Sequence, residues 1–450
     1  MTFFLGVRTG PGKRNPEICD EKRARRTEMT IVGLDDTDSR DRGMCTTYAA
    51  ARIAKRIEAA GGEIHDRLLI RLNPAVEHKT RGNAALAVHT DLDATEVLEI
   101  GRDEIDDAAE TRDRNTNPGL VVAPGSIDEI PPAVVDFARH AVRHHHDLAD
   151  AEALIEDVGY RFASWKNARG LIGALAAVGA DAPFEDWTYE HIAYRPRTRW
   201  GTPRAVDRES VFQAADGGYP EAWDTVDRVE GQAVCVPNAP GPILYGIRGD
   251  DPEVVQAVAD GIESEPIETT ALFRTNQGTD AHLIDATVPE VEDGQSYRVD
   301  GTVVDAPETR HGGHVFLRIA DHGQSLRCAA FEPTKRFRDR VRSLREGDRL
   351  TVCGEVSDGT LKLEKFAVRE LERTESVVPE CPDCERSMES AGRDQGYRCR
   401  DCGTDAPGKI ERRVNRDIER GWYEVPPCAR RHIAKPLIRG FFDAPTHPER

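Results

Sequence analysis

Three carboxylates, Asp35, Asp36 and Asp38, fall within four residues of the stretch IVGLDDTDSRDRGMCTTY, which runs from Ile31 to Tyr48. A hydroxyl pair, Thr46 and Thr47, follows Cys45. Carboxylates packed this closely repel one another unless a cation sits among them, and hard oxygen donors suit Mg2+ shared with nucleotide phosphates. The same residue types also suit an acidic turn that caps a helix, because Asp and Thr accept hydrogen bonds from a helix N-terminus. A second set with chemistry in its spacing is Cys381, Cys384, Cys399 and Cys402, two C-x-x-C knuckles with 14 residues between them. In a reducing compartment this reads as a four-cysteine zinc ribbon, structural because four thiolates leave no open coordination position. Two polar loops complete the inventory. HKTRGN at 78–83 places Lys79 and Arg81 beside Gly82, either as a phosphate contact or as a hairpin turn with two solvated charges. FRTNQGTDAHL at 273–283 gathers Arg274, Asn276, Gln277, Thr279, Asp280 and His282, as a binding loop or a capped turn.

The elements that must hold these residues follow from the apolar pattern. The run before Asp35 is a strand, and the Ala-rich pattern after Tyr48 is a helix. Strands at 68–73 and ALAVHT, then NPGLVV at 117–122, continue an alternation of strands and helices from residue 29 to about 160. His144, His145 and His146 fall in an expected helix between Pro132 and Asp157; consecutive residues cannot share a helix face, so they read as surface. A second unit, 161–290, holds the small-residue run NARGLIGALAAVG, in which Gly170 and Gly173 permit close helix packing, and strands at 186–195, 232–236 and 243–247. It reads as an α+β sandwich. From 295 to 372 come five short strands with a helical stretch, 333–345, between the third and fourth, the order of an OB-fold barrel that often binds single-stranded nucleic acid. The ribbon (376–405) and a basic segment (406–450) follow. The fold class is therefore multidomain α+β.

Composition describes the solvent more than the partner. Net charge is −19, and of 61 basic residues 10 are Lys and 51 Arg. Such a surface stays dispersed in concentrated salt. Phosphate attraction is screened there, so an RNA binder must rely on stacking, shape and local basic patches. One such patch is ARRHIAKPLIRG at 429–440; a basic helix docked on acidic neighbours accounts for it equally well. No apolar run approaches a membrane span, and the cysteines are not spaced as a disulfide framework, which points to the cytoplasm. Residues 1–28, just before Met29, read as a disordered or misannotated extension.

Taken together and in order, GLDDTDSRDRGMCTTY, IRLNPAVEHKTRGNAA, RGLIGALAAVG, TYEHIAYR, FRTNQGTDAHL, the four-cysteine ribbon and ARRHIAKPL resemble the archaeal tRNA-Ile 2-agmatinylcytidine synthetases. The acidic excess looks haloarchaeal. The resemblance covers residue 31 to about 440. It implies an ATP-dependent ligase that joins agmatine to C2 of the wobble cytidine of the CAU-anticodon tRNA-Ile, after phosphorylation of the C2 oxygen, so that the tRNA reads AUA. ATP would end as AMP and phosphate. By the same resemblance, 29–160 is an ATP-binding kinase-like domain, 161–290 a ferredoxin-like domain that helps hold agmatine, and the OB-fold and ribbon grip tRNA. Asp35, Asp36 and Asp38 match the family's metal- and ATP-binding carboxylates, and Thr46 its autophosphorylated threonine. For agmatine the candidates are Glu190, Asn276 and Asp280, since a guanidinium needs a carboxylate and acceptor oxygens. Lys79 and Arg81 are candidates for triphosphate or RNA backbone. Arg40-Asp41-Arg42 fills the spacer before GMCTT, where the family has a short connection. The competing readings are a non-enzymatic nucleic-acid-binding protein built on the barrel and ribbon, and a small-molecule or protein kinase.

Overall fold

The computed structural model describes residues 29–77, 79 and 82–450; the expected extension at 1–28 and the candidate Arg81 lie outside the described residues. The first two units share one nine-stranded mixed sheet. Its strands are β1 (Thr30–Asp35), β2 (Ile64–Arg71), β3 (Ala84–Thr90), β4 (Gly119–Pro124), β5 (Arg161–Ser164), β6 (Thr188–Tyr194), β7 (Ala222–Trp223), β10 (Ile243–Gly249) and β11 (Thr269–Thr275), with a side hairpin of β8 (Val226–Asp227) and β9 (Gln232–Ala233). The order across the sheet is β5-β4-β1-β3-β2-β11-β6-β10-β7. The strand expected at 232–236 is thus only the short arm of that hairpin.

The middle of strand β1, residues 31–34, is apolar because both its faces are covered. Ile31 packs with helices α3 (Pro132–Ala141), α4 (Leu148–Asp157) and α5 (Gly170–Val178). Val32 and Leu34 point the other way, into α1 (Thr46–Ala59) and α2 (Ala94–Ala108). The packing shows no break at residue 160: β5 pairs with β4, and α5 lies on the first half of the sheet. The two halves meet where β11 runs parallel to β2, with Arg274 opposite Leu68 and Thr275 opposite Leu69. Arg274 ties the seam by bonding Asp66 at 2.6 Å and Asp181 at 2.7 Å. Helices α6 (Arg208–Gly218) and α7 (Pro252–Asp260) cover the second half.

After β12 (Leu283–Ala286), five strands close into a barrel: β13 (Ser296–Thr309), β14 (Val315–Asp321), β15 (Gln324–Ala330), β16 (Arg349–Ser357) and β17 (Thr360–Glu370). The circuit is β13-β14-β15-β17-β16 and back to β13. The helical stretch between its third and fourth strands is shorter than 333–345. Lys335 takes a left-handed backbone (φ 50°) and separates a single turn, Glu332–Thr334, from helix α8 (Phe337–Arg342).

The C-terminal segment is not the basic helix considered above. Gly421–Glu424 adds a strand to β17, and the chain then folds as irregular turns punctuated by Pro427 and Pro436. Its cations pair with acidic neighbours: Arg430 with Asp224 and Glu424, Arg431 with Glu355 and Glu364, Arg439 with Asp186 and Asp250. Burial of Arg430 and its partners makes this a docking device, since an unpaired charge there would cost several kcal/mol, on the order of 3–5. Among the described residues no helix is long and apolar enough to cross a membrane, and the cysteines are free thiols.

Candidate functional site

A cavity of about 360 Å3 opens between the two halves of the sheet. Asp35, Asp36, Asp38, Thr46 and Lys79 line it from the first half and Glu190 from the second. Asp35 is the last residue of β1, and Asp36 turns the chain with a left-handed φ of 59°, a conformation Asp tolerates better than most side chains. The Asp36 amide donates to Asp35 Oδ1 at 2.6 Å. Arg169 Nη2 lies 3.2 Å from Asp36 Oδ2. Burial, and then the charge of Asp36, push the Asp35 carboxyl well above the usual carboxylate range. Burial also raises Asp36, against the pull of Arg169. Two carboxylates whose pKa burial raises, side by side at one turn, are a donor set that a divalent cation fits.

Glycine at two positions makes this geometry possible. A Cβ at Gly173 would lie 2.6 Å from Asp35 Cγ, and one at Gly170 would lie 2.8 Å from the Asn117 carbonyl oxygen. Helix α5 consequently begins directly against the carboxylate turn and brings Arg169 with it. Opposite stands α1, whose first residue is Thr46. Cys45 precedes it in extended conformation and supplies no side-chain cap. Thr37 Oγ1 bonds Thr46 Oγ1 at 3.1 Å, fixing the hydroxyl beside the aspartate turn. A helix start without a side-chain cap from its N-cap residue is suited to phosphate oxygens. Lys79 Nζ donates to the carbonyls of Pro74 (2.5 Å) and Val76 (3.0 Å), and burial lowers its pKa.

Glu190 sits at the far end. Its Oε2 accepts from Gln277 Nε2 at 2.5 Å, and Gln277 Oε1 accepts from Arg71 Nε (3.1 Å) and Nη2 (2.9 Å). Gly246 leaves it room, since a Cβ there would stand 2.8 Å from Glu190 Oε1. Arg71, Arg248 and His432 line the same end. Burial, then the two guanidiniums, hold His432 well below the usual histidine range.

The other two agmatine candidates lie elsewhere. Asn276 is not among the cavity-lining residues; it accepts from the Arg71 amide at 2.7 Å and donates to the Arg71 carbonyl at 3.0 Å, stitching the seam between the halves. Asp280 faces the barrel, where Lys365 Nζ bonds both its oxygens (2.8 and 2.6 Å) and the Lys435 amide donates at 2.7 Å. Conversely, His144, His145 and His146 line the cavity. They are not helical, because α3 ends at Ala141 and they follow it in an irregular turn, in which His145 is exposed and His144 and His146 are half-buried. Arg169 and Gly173 were visible only as parts of a small-residue helix; nothing local ties them to Asp35.

The Sγ atoms of Cys381, Cys384, Cys399 and Cys402 all lie within 4.8 Å of one another. A tetrahedral zinc with bonds of ~2.3 Å needs sulfurs ~3.8 Å apart, so the thiol set fits that ion.

Comparison with known proteins places this architecture. Three family models match: the TiaS TCKD domain at residues 31–92, the TiaS FLD domain at 168–282 and the TiaS C-terminal zinc ribbon domain at 378–418. The tRNA-Ile 2-agmatinylcytidine synthetase TiaS of Haloquadratum walsbyi is 55% identical over 94% of this chain and 100% of its own length. A crystal structure of TiaS in complex with its isoleucine tRNA and ATP is similar with a TM-score of 0.86 and 41% identity, covering 94% of this chain and 100% of that one. A complex of TiaS with the same tRNA, AMPCPP and agmatine gives a TM-score of 0.84 at 39% identity, with the same coverage. With its carboxylate turn, barrel and four-cysteine ribbon in one chain, this protein belongs to the tRNA-Ile 2-agmatinylcytidine synthetase (TiaS) family.

Proposed function

We propose that this chain is an ATP-dependent ligase that joins agmatine to C2 of the wobble cytidine of tRNA-Ile with a CAU anticodon. The observation that carries the reading is one cavity lined by the aspartate turn and Thr46 at one end and by a buried glutamate at the other. Phosphoryl transfer depends on neutralised oxygens and placement more than on a strong base. Asp35, Asp36 and Asp38 would hold Mg2+, which neutralises phosphate charge when bound. The N-terminus of α1 and Lys79 receive phosphate oxygens, and Thr46 is the hydroxyl placed to accept a phosphoryl group. The base is activated when a bond forms between its C2 oxygen and the terminal phosphorus of ATP while the phosphoanhydride breaks and the remaining nucleotide leaves with the bridging oxygen. The agmatine amine then attacks C2; the C2–O bond breaks, phosphate leaves with that oxygen, and the nitrogen gives up a proton. Glu190, fixed by Gln277, pairs with the cationic guanidinium and sets the amine's approach.

The domain division that supports this function is an ATP-binding kinase-like unit (29–160, with β5 and α5 from the start of the next unit packed onto it), a ferredoxin-like unit (161–290), an OB-fold (295–372), a structural zinc ribbon (376–405) and the docked C-terminal segment (406–450). The β-α-β-β-α-β succession β6-α6-β7-β10-α7-β11 supports the ferredoxin-like assignment. The barrel circuit supports the OB-fold. The test is an incubation of the protein with ATP, Mg2+, agmatine and an unmodified CAU-anticodon transcript, followed by nucleoside mass analysis. Agmatinylcytidine is expected. A lysine adduct formed in preference to agmatine, or no adduct, overturns the reading.

A further inference from the structure

The cavity must hold a pyrimidine base as well as phosphates and an amine, and a base drawn out of an RNA loop is held by stacking on a planar group. Among the described residues no Phe, Tyr or Trp lines this cavity; its rings are the imidazoles of His144, His145, His146 and His432. His432 is tied into the seam, its carbonyl accepting from Gly278 at 2.8 Å. The other three occupy one turn, and two of them are backed by further rings. His144 stacks on His140 with centroids 4.1 Å apart and planes 15° from parallel. His146 stacks on Phe137 at 3.8 Å and 21°. His140 Nδ1 and His146 Nε2 lie 3.1 Å apart, locking the two stacks together. The turn is pinned at its flanks: Asn73 donates its backbone amide to the Ala141 carbonyl at 3.0 Å, and Arg143 Nε bonds the Ala281 carbonyl at 2.9 Å.

We propose that His144 and His146 form the stacking platform for the unpaired cytosine, with each imidazole extending a ring stack already built behind it. The proposal rests on the activity given above. Burial, with neighbouring imidazoles, keeps both rings below the usual histidine range. An uncharged imidazole offers a phosphate no ion pair, whereas its flat face can stack on a base. They are positioning residues: they hold the base while chemistry takes place at the aspartate turn.

The experiment uses full-length protein and a CAU-anticodon transcript carrying fluorescent pyrrolocytidine at the wobble position. Stacking quenches this probe. The double substitution His144→Ala/His146→Ala is expected to abolish the quench and raise the KM for tRNA by about 10- to 100-fold, the range for losing stacking on one base. His144→Phe/His146→Phe keeps a flat ring without the nitrogens and is expected to restore both; a residue needed only for folding would not be rescued in this way. An alanine variant that quenches as the wild type does, or a phenylalanine variant that restores neither signal, overturns the platform. A wild-type protein that quenches the probe but forms no agmatine adduct sinks the activity and leaves the platform standing.

Discussion

Replacing Gly173 with Ala sets two effects of known size against each other. Gly173 lies within α5, where Ala on propensity alone favours the helix by about 1 kcal/mol. The added methyl, however, would lie 2.6 Å from Asp35 Cγ and 2.9 Å from Asp35 Cβ, whereas ordinary contact begins near 3.4 Å. Asp35 Oδ2 would be nearer still, so either the carboxylate or the helix must move by more than ~1 Å, and the helix has no slack because Ala174 and Leu171 are buried against the sheet. Overpacking of this kind costs about 1–3 kcal/mol. Misplacing a phosphate-positioning group by 1 Å costs on the order of 100-fold in rate. The steric effect therefore outweighs propensity, and Gly173→Ala should lower both the thermal midpoint and the turnover of the tRNA transcript. Thermal denaturation with and without Mg2+-ATP, beside a timed nucleoside assay, measures the two losses separately. Gly217→Ala, in α6 with nothing within 4 Å of the new methyl, is the control: turnover should be unchanged and the thermal midpoint should not fall. A Gly173→Ala protein as active and as stable as wild type would refute the reasoning about how α5 meets Asp35.

Four further outcomes follow from the same geometry. Thr46→Ala should abolish phosphate incorporation into the protein and impair modification, read by intact-protein mass spectrometry after incubation with ATP; full turnover without Thr46 would remove it from the mechanism. Glu190→Gln should raise the KM for agmatine by about 10- to 100-fold, the range for a charge-assisted hydrogen bond, with little change in the KM for ATP; equal changes in both would place Glu190 elsewhere. Cys384→Ser should lower bound zinc from one ion per chain, measured by elemental analysis, while circular dichroism of the large sheet persists. Glu364 supplies a pH test. Burial would raise its carboxyl, but His282, Arg431 and Lys365 hold it down at about 2, below the ordinary 4.5. A folded-state value below the unfolded one means stability that is present above about pH 4.5 and lost as pH falls from there towards 2. Denaturant midpoints between pH 5 and 2.5 should therefore fall less steeply for Glu364→Gln than for wild type; parallel slopes would show that this pair does not carry the acid sensitivity.

Local arrangement carried by contiguous residues was legible in the chain. The DDTDS turn, the Thr46 step and the two C-x-x-C knuckles need only short-range geometry, and the five-strand barrel order followed from alternation and turns. What escaped depends on distant parts of the chain meeting. Gly170 and Gly173 looked like helix packing, and they are, but the surface they pack on is the Asp35 turn 133 or more residues away in the chain, as the Arg169–Asp36 pair shows. His144–His146 were placed on a helix by extending the pattern past Ala141; once the helix ends, the rule that consecutive residues diverge no longer holds. Asn276 and Asp280 have the composition of a ligand loop, yet their polar atoms bond Arg71 and Lys365. In the C-terminal segment the basic patch was visible, and its acidic partners, scattered from Asp186 to Glu424, were invisible locally.

The wall at the Glu190 end depends on His432, which enters between the sheet halves only after the barrel and the ribbon have been made. A ribosome that has synthesised every aspartate of the turn, both halves of the sheet and the whole barrel still carries a nascent chain with an open-sided pocket. A nascent chain that stops short of His432 therefore carries the aspartate turn while still lacking one of the side chains that line its cavity.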